Sequence, residues 1–411
     1  MAKKSGKRKI LRVGTLFSGI GAFEQALLQM RMPHEIVFAC DNGEIELIPL
    51  APTEQKCYLE LRKKKKSERT KEELAALALF TRKIEKKNEE FAAKVKTFKS
   101  ITEKERFVLS LYEKYAGDKT NYVKKTYLAN YQIAHEHFHQ DVRFMDGRDY
   151  LGKVDIMVGG SPCQSFSTYG KKLGLEDARG TLFYDYARLI KEIRPKVFVY
   201  ENVAGCLTHD NRRTWRVMKE VWESLGYVLA YKVLNAADYN HPQLRKRLFL
   251  IGFREDVYKK KYEFPKPIKL RKKSVEFLEK GLVPDVYYLG KKGFEWVTDP
   301  LKNLRRSRVN QDVIGCQTAN QQDNWIGDFR VERPQPHHYA DPRIFVGKYK
   351  IDGVHEEDAV ARKMTPRECL NLMGFTQLEQ VVEDRVLYRQ AGNSIVVPVL
   401  KEIIKTLKEY L

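Results

Sequence analysis

The stretch LRVGTLFSGIGAFEQALLQMRMPHEIVFACDN, residues 11–42, decides the fold. LRVGTLF is apolar and rich in strand formers, AFEQALLQM has helical periodicity, and EIVFACD at 35–41 returns to strand formers. Strand, helix and strand in that order make a βαβ unit. Its apolar residues run on without alternation, as in parallel strands covered on both faces. Phe17, Gly19, Ile20 and Gly21 occupy the turn into the helix, where glycines let the backbone approach a ligand and the helix N-terminus favours polar or anionic groups. Asp41 closes the second strand, where such sheets place an acid for a ribose diol. The pair points to a nucleoside-containing cofactor. A dinucleotide is disfavoured, because Glu24 replaces the third glycine of its fingerprint.

Outward from this unit the same rhythm continues, with strands expected at 155–160, 196–202, 227–234 and 247–253 and helices in TLFYDYARLIKEIR and TWRVMKEVWESLG. The expected fold class is α/β, a Rossmann-like, mostly parallel sheet with helices on both faces. Residues 1–50 and 131–256 would form this domain, and 356–411 would return to it. Two segments break the rhythm. Residues 51–130 carry twenty-one Lys and Arg against twelve Asp and Glu, with Leu77, Phe80, Ile84, Phe91, Val95 and Phe98 on one helical stripe. This reads as a charged helical insertion, either a surface hairpin packed on the sheet or an arm that touches a partner. Residues 257–355 are rich in Pro, Tyr and Trp, and they predict a small loop-rich domain suited to phosphates and bases.

A chain of 411 residues, 43% apolar and 31% charged, excludes disordered and collagen-like classes, and a net charge of +21 favours a polyanionic partner, nucleic acid first. No stretch has the apolar length of a membrane span, and MAKKSGKRKILRV lacks a signal core, so a cytoplasmic protein without membrane contact is expected. The six cysteines contain no C-x-x-C pair, which argues against a disulfide framework and against a metal site. Cys40, Cys57, Cys206, Cys316 and Cys369 read as small buried hydrophobes.

Cys163 differs. It follows a strand directly in Ser161-Pro162-Cys163-Gln164-Ser165-Phe166, at the carboxyl edge where parallel sheets put their sites, and Pro162 fixes the turn before it. It is positioned as a nucleophile; zinc-deaminase chemistry is excluded because position 166 of the P-C-x-x-C signature is Phe. Glu201 ends the next strand at the same edge, where burial and a neighbouring thiolate would raise its pKa and let it donate to a ring nitrogen. Gln243, Arg245 and Arg247 open the last strand with one spacing, hence one face, and offer cationic donors to a base carbonyl and to phosphates, or ion pairs at the sheet edge.

The ordered run FSGIG, PCQSFS, RGTLFYDYARLI, ENV, QLRKR and AGNSIVVPVL resembles the bacterial cytosine-C5 DNA methyltransferases, over roughly 10–50 and 135–411. The resemblance implies a class I methyltransferase fold, S-adenosyl-L-methionine as cofactor and double-stranded DNA as partner. It further implies a monomer, possession of a cognate restriction endonuclease or a solitary or phage role, and 257–355 as the target recognition domain. By residue it implies that Phe17, Gly19, Ile20 and Gly21 form the cofactor loop and Asp41 the ribose acid. Asp146 would face the adenine amino group, with Asn42, Pro162, Leu182, Asn393 and Ser394 completing the pocket. Cys163 would be the nucleophile, Glu201 the acid at the cytosine N3 edge, and Arg245 and Arg247 the arginines around a base flipped out of its stack. Gln164, Ser165, Tyr169, Arg179 and Gln243 would face DNA, Tyr169 filling the gap left by the base.

Three departures qualify the likeness. Asp41 stands where many relatives carry Glu, Asn42 where some carry an aromatic residue, and the 51–130 insertion has no counterpart in compact members. For reading the site, Gln317, Thr318, Asn320, Gln321, Asn324 and Arg330 have amide, hydroxyl and guanidinium groups that suit base edges and equally suit backbone satisfaction in a tight loop. Other readings are tRNA cytosine methylation, which the large basic 257–355 segment disfavours, and a silent DNA-binding protein, which has no reason to keep Cys163, Glu201 and Arg247 together.

Overall fold

The computed structural model describes residues 10–161 and 182–411. Among these, the strands are β1 Leu11–Leu16, β2 His34–Cys40, β3 Phe138–His139, β4 Ile156–Gly159, β5 Val197–Val203, β6 Tyr227–Asn235 and β7 Lys246–Arg254, forming one sheet in the order β3-β2-β1-β4-β5-β7-β6. Neighbouring pairs from β3 to β5 are parallel, and β7 runs antiparallel to both β5 and β6. All six expected strands form within a residue or so of their expected limits. The two-residue edge strand β3 is too short to leave a pattern in the sequence.

The sheet buries both faces. Along β4 and β5, Ile156, Val158, Val197 and Val199 join helix α1 (Ala22–Gln29) and the last helix in one core. Met157, Phe198 and Tyr200 point the other way, into a core with α6 (Leu182–Ile193) and α7 (Arg213–Ser224). Trp222, on α7, is fully buried and meets the rings of Phe183, Phe198 and Tyr200 at 4.9–5.7 Å. Strand order reverses at β1, whose neighbours are β2 and β4. A crevice therefore opens at the carboxyl ends of β1 and β4, the place where doubly wound sheets bind ligands.

Between β2 and β3 the chain forms α2 (Pro52–Lys63), α3 (Lys71–Val95), α4 (Ile101–Ala116) and α5 (Tyr122–Asn130). The stripe of α3 divides as it packs: Leu77, Phe80 and Ile84 meet Ile48, Leu50 and Tyr58, while Phe91 and Val95 meet Val108, Leu111 and Phe144. Capping boxes at Thr70 and Ser100 start α3 and α4.

Beyond the first sheet come α8 (Lys291–Thr298) and a second sheet of β8 (Ser307–Val309), β9 (Gly327–Glu332), β10 (Gly347–Tyr349) and β11 (Glu357–Lys363), in the order β10-β11-β9-β8. The loop-rich expectation for 257–355 is met by short strands and turns, but β11 lies past residue 355 and pairs with β9. The second sheet thus reaches Lys363 before α9 (Pro366–Asn371), α10 (Asp384–Asn393) and α11 (Val397–Leu407) bring the chain back onto the first. Leu400, Ile403 and Ile404 of α11 share a core with Ala26 and Leu27 of α1. Among the described residues no helix is long and apolar enough to cross a membrane.

A buried ion pair joins the second sheet to α9. Arg362 grips Glu368 with two nitrogens at 2.8 and 3.0 Å, and its Nε reaches Glu332 at 3.1 Å; the Arg362 and Glu368 side chains are 3% and 0% exposed. Removing Glu368 leaves the buried Arg362 charge with the half-exposed Glu332 as its counter-ion and two nitrogens without their carboxylate. Glu368→Ala is expected to cost about 3 kcal/mol or more, read as a lower denaturation midpoint at unchanged slope. A loss under about 1 kcal/mol would show that the pair contributes no more than a surface one.

Candidate active site

Four strand ends, of β1, β2, β4 and β5, and one strand start, of β7, meet at the crevice. After β1 the chain turns through Phe17, Gly19 and Gly21 with φ of 52°, 53° and 75°. Gly19 and Gly21 need no side chain there, and the space beside Gly19 is open: a Cβ built on it meets nothing within 4 Å. The Gly19 amide donates to Asp41 Oδ2 at 2.9 Å and the Gly43 amide to Oδ1 at 2.8 Å. Burial pushes the Asp41 carboxyl up, and these two amides pull it partly back. Phe17, Asp41 and Asn42 are half-buried, whereas Ile20 packs into the core. This open turn with a carboxylate at its rim fits the sugar end of a nucleoside.

The opposite wall comes from the end of the chain. Asn393 donates from Nδ2 to Glu44 Oε1 at 2.7 Å, and Arg389 pairs with Glu44 Oε2 at 3.0 Å, so the loop after β2 is tied to α10. Ser394 is buried, with its carbonyl engaged by Arg245, and Leu182 is half-buried at the start of α6. Asp146 departs from expectation. Its side chain is 1% exposed, with Lys104 and Arg148 on Oδ2 at 3.0 and 2.8 Å and Arg148 on Oδ1 at 2.8 Å, which holds it well below the usual carboxylate range. In this arrangement the carboxylate is closed off from an adenine amino group.

At the next edge β4 delivers Gly160 and Ser161. A Cβ on Gly160 would lie 2.2 Å from the Glu201 carbonyl oxygen, so only glycine lets the two strand ends close up. Asn202 fastens them, donating to Ser161 O at 3.1 Å and to the Tyr200 hydroxyl at 2.9 Å. Glu201 itself pairs with Arg247, Nε to Oε1 at 3.2 Å, with both side chains mostly covered. Burial raises the Glu201 carboxyl, while the Arg247 charge, and more weakly that of Arg245, draws it down. Cys163, Pro162, Gln164, Ser165, Tyr169 and Arg179 lie outside the described residues.

Arg245 and Gln243 do not share the exposed role of Arg247. Arg245 is 4% exposed and donates to the carbonyls of Gln317 at 2.6 Å, Gly392 at 3.0 Å and Ser394 at 2.6 Å. Gln243 is fully buried, with Nε2 on Leu372 O at 2.8 Å. Both precede β7, where the chain is wedged between the second sheet and the C-terminal helices, so spacing alone does not set their faces. The stretch after Ile314 divides similarly: Gln317 and Gln321 are buried and Thr318 and Asn320 exposed. Arg330 is half-buried on β9, and the side chain of Asn324 is outside the described set. Cys316 corrects the buried-hydrophobe reading. It is exposed, with Sγ 3.4 Å from Arg245 and 3.7 Å from Arg247. Cys57 is exposed as well.

Residues 111–409 match the family model described as C-5 cytosine-specific DNA methylase. The chain is 32% identical over 289 residues to Type II methyltransferase M1.ScrFI of Lactococcus lactis subsp. cremoris, covering 70% of this chain and 69% of the relative. It is 34% identical over 254 residues to Type II methyltransferase M.HhaI of Haemophilus parahaemolyticus, covering 61% of this chain and 74% of that one. In fold it is similar to the Dnmt2 methyltransferase of S. pombe, with a TM-score of 0.57 at 17% identity over 97% of this chain and 99% of that structure.

The Glu201 environment sets a sign that can be checked. Arg247→Ala removes the nearer positive charge opposing burial, so the Glu201 titration midpoint is expected to rise further, followed by isotope-edited infrared spectroscopy of the carboxyl. A midpoint that stays or falls would show that the 3.2 Å pair does not govern this group.

Proposed function

The chain belongs to the C-5 cytosine-specific DNA methylase family, and from that membership we propose that it methylates C5 of a cytosine turned out of a short specific site in duplex DNA, through a transient bond from Cys163 to ring carbon C6. The observation that carries this reading is the Glu201–Arg247 pair at 3.2 Å, held against the strand end that leads into Cys163.

Cytosine C5 is a weak nucleophile until a group adds at C6. A cysteine thiolate suits that step, since a free thiol at about pKa 8.5 is partly ionised near neutrality. As the Cys163 sulfur bonds to C6, the electron pair of the C5–C6 bond moves toward N3, and the Glu201 proton passes to N3. Arg247 orients the Glu201 carboxyl. C5, now enamine-like, takes the methyl group; a base removes the C5 proton, Cys163 leaves C6, and Glu201 recovers its proton from N3. S-adenosyl-L-methionine, when bound, supplies the electrophilic methyl group. The open turn at Gly19 and the Asp41 carboxylate would hold its nucleoside part, with Phe17, Leu182 and Asn393 around it. Because stacking hides C5 and C6, the base must be extruded. The segment 257–363, which contains the second sheet, is the candidate target-recognition domain, with Thr318, Asn320 and Arg330 as its reading groups. Pairing with a restriction endonuclease belongs to the same proposal.

Purified protein with methyl-labelled cofactor is expected to yield 5-methylcytosine in duplex DNA; label on adenine, on cytosine N4 or only in tRNA would exclude the route. Cys163→Ala should abolish transfer and keep DNA binding, and Glu201→Gln should slow it about 10²- to 10⁴-fold. Since Glu201 acts in its protonated form, the rate should fall as pH rises through its raised midpoint. Duplex carrying 5-fluorocytosine should be trapped on Cys163, and turnover without trapping would remove the covalent step.

A further inference from the structure

Helix α5 and the residues that cap it reach the cofactor crevice. Tyr131, the residue that ends α5, sends its hydroxyl to the carbonyl oxygens of Ile20 at 3.0 Å and Gly21 at 2.8 Å. Its ring fills the place beside Gly21, where a Cβ would lie 2.3 Å away. One turn earlier, Tyr127 donates to the buried Glu24 Oε1 at 2.6 Å, which also takes Thr15 Oγ1 at 2.8 Å. At the start of α5, Asn121 accepts from the Lys124 amide at 2.9 Å, capping the helix, and its Nδ2 donates to the Asp41 carbonyl at 2.8 Å and to Gln140 Oε1 at 3.1 Å. From α4, Lys104 grips Asp146 and Asp149 at 3.0 and 2.7 Å, and Glu105 meets His139 Nδ1 at 2.5 Å. Helices α4 and α5, with the Tyr131 cap, therefore contact the glycine turn, the loop of Asp41 and the chain at 139–149.

We propose that α5 and its capping residues act as positioning elements of the cofactor site, with Tyr131 setting the Phe17–Gly21 turn and Asn121 setting the Asp41 loop. This rests on the cofactor-site reading above, and it assigns α5 to cofactor affinity instead of to DNA. The physical basis is local. Gly19 and Gly21 hold left-handed backbone that an isolated loop would exchange for other states. The Tyr131 hydroxyl binds the Ile20 and Gly21 carbonyls from a helix end, and the Gly21 carbonyl also takes the Gln25 amide at 2.9 Å, so the turn is held between α1 and α5. Burial pushes the Tyr131 phenol well up, so it remains a donor throughout the working pH range. A pre-shaped turn spares the ligand the ordering cost on binding.

Two substitutions test it. Tyr131→Phe removes the hydroxyl and keeps the ring; Asn121→Ser keeps an acceptor for the helix cap and loses both amide donations. Each is expected to raise KM for S-adenosyl-L-methionine about five-fold, and to weaken S-adenosylhomocysteine binding by the same factor in calorimetry. The kcat and the KM for duplex should stay within about two-fold of the native values. Unmoved cofactor KM with a lowered thermal midpoint would overturn the proposal and leave α5 a structural brace. A change confined to duplex KM would overturn it in favour of a DNA arm. Asp41→Asn, measured in parallel, separates the two layers: if it leaves cofactor affinity intact, the site reading itself fails. If it weakens binding and the other two do not, only the positioning role fails.

Discussion

One buried guanidinium holds the working edge together. Arg245 lies at the junction of the sheet, the second-sheet loop and the C-terminal helices, and its two terminal nitrogens donate to the carbonyls of Gln317, Gly392 and Ser394. Burying such a charge is costly, and these three bonds offset that cost while Nε has no hydrogen-bond partner among the described residues. Its companions conform: a Cβ on Gly392 would lie 2.1 Å from the Thr318 carbonyl, and Gln243 fastens to Leu372 beside it. With these pieces locked, Arg247 two residues on is left facing Glu201. The half-buried arginine is free to face the carboxylate because the fully buried one holds the surrounding segments.

The first sheet was legible because its strands other than β3 are mostly apolar runs bounded by polar turns. FSGIG and Asp41 directly follow strands and Glu201 lies near the end of β5, so all three come to the crevice for that reason. Residues whose role depends on distant packing were not legible. Arg245 and Arg247 share a spacing, yet one is walled in by segments at 317 and 392–394 that no local pattern reveals. Asp146 was closed by a lysine forty-two residues earlier, and Cys316 was exposed by a turn that its own apolar neighbours conceal. Glu24 was seen only as a broken fingerprint; its partners Thr15 and Tyr127 explain why a carboxyl is tolerated at 1% exposure.

The helices between β2 and β3 divide their faces by partner. The long α3 has a charged solvent face, while α4 and α5 present buried polar side chains inward, and those are the ones that meet the first sheet and its turns. The family match begins at residue 111, inside α4, so the FSGIG turn lies upstream of the matched region while sharing hydrogen bonds with residues inside it.

The tie from Glu44 to Arg389 and Asn393 joins the first tenth of the chain to its last. One carboxylate thus takes a guanidinium and an amide from the same helix, so the loop after β2 and the end of α10 move as a unit, and a change at Glu44 loosens both sides of the crevice together.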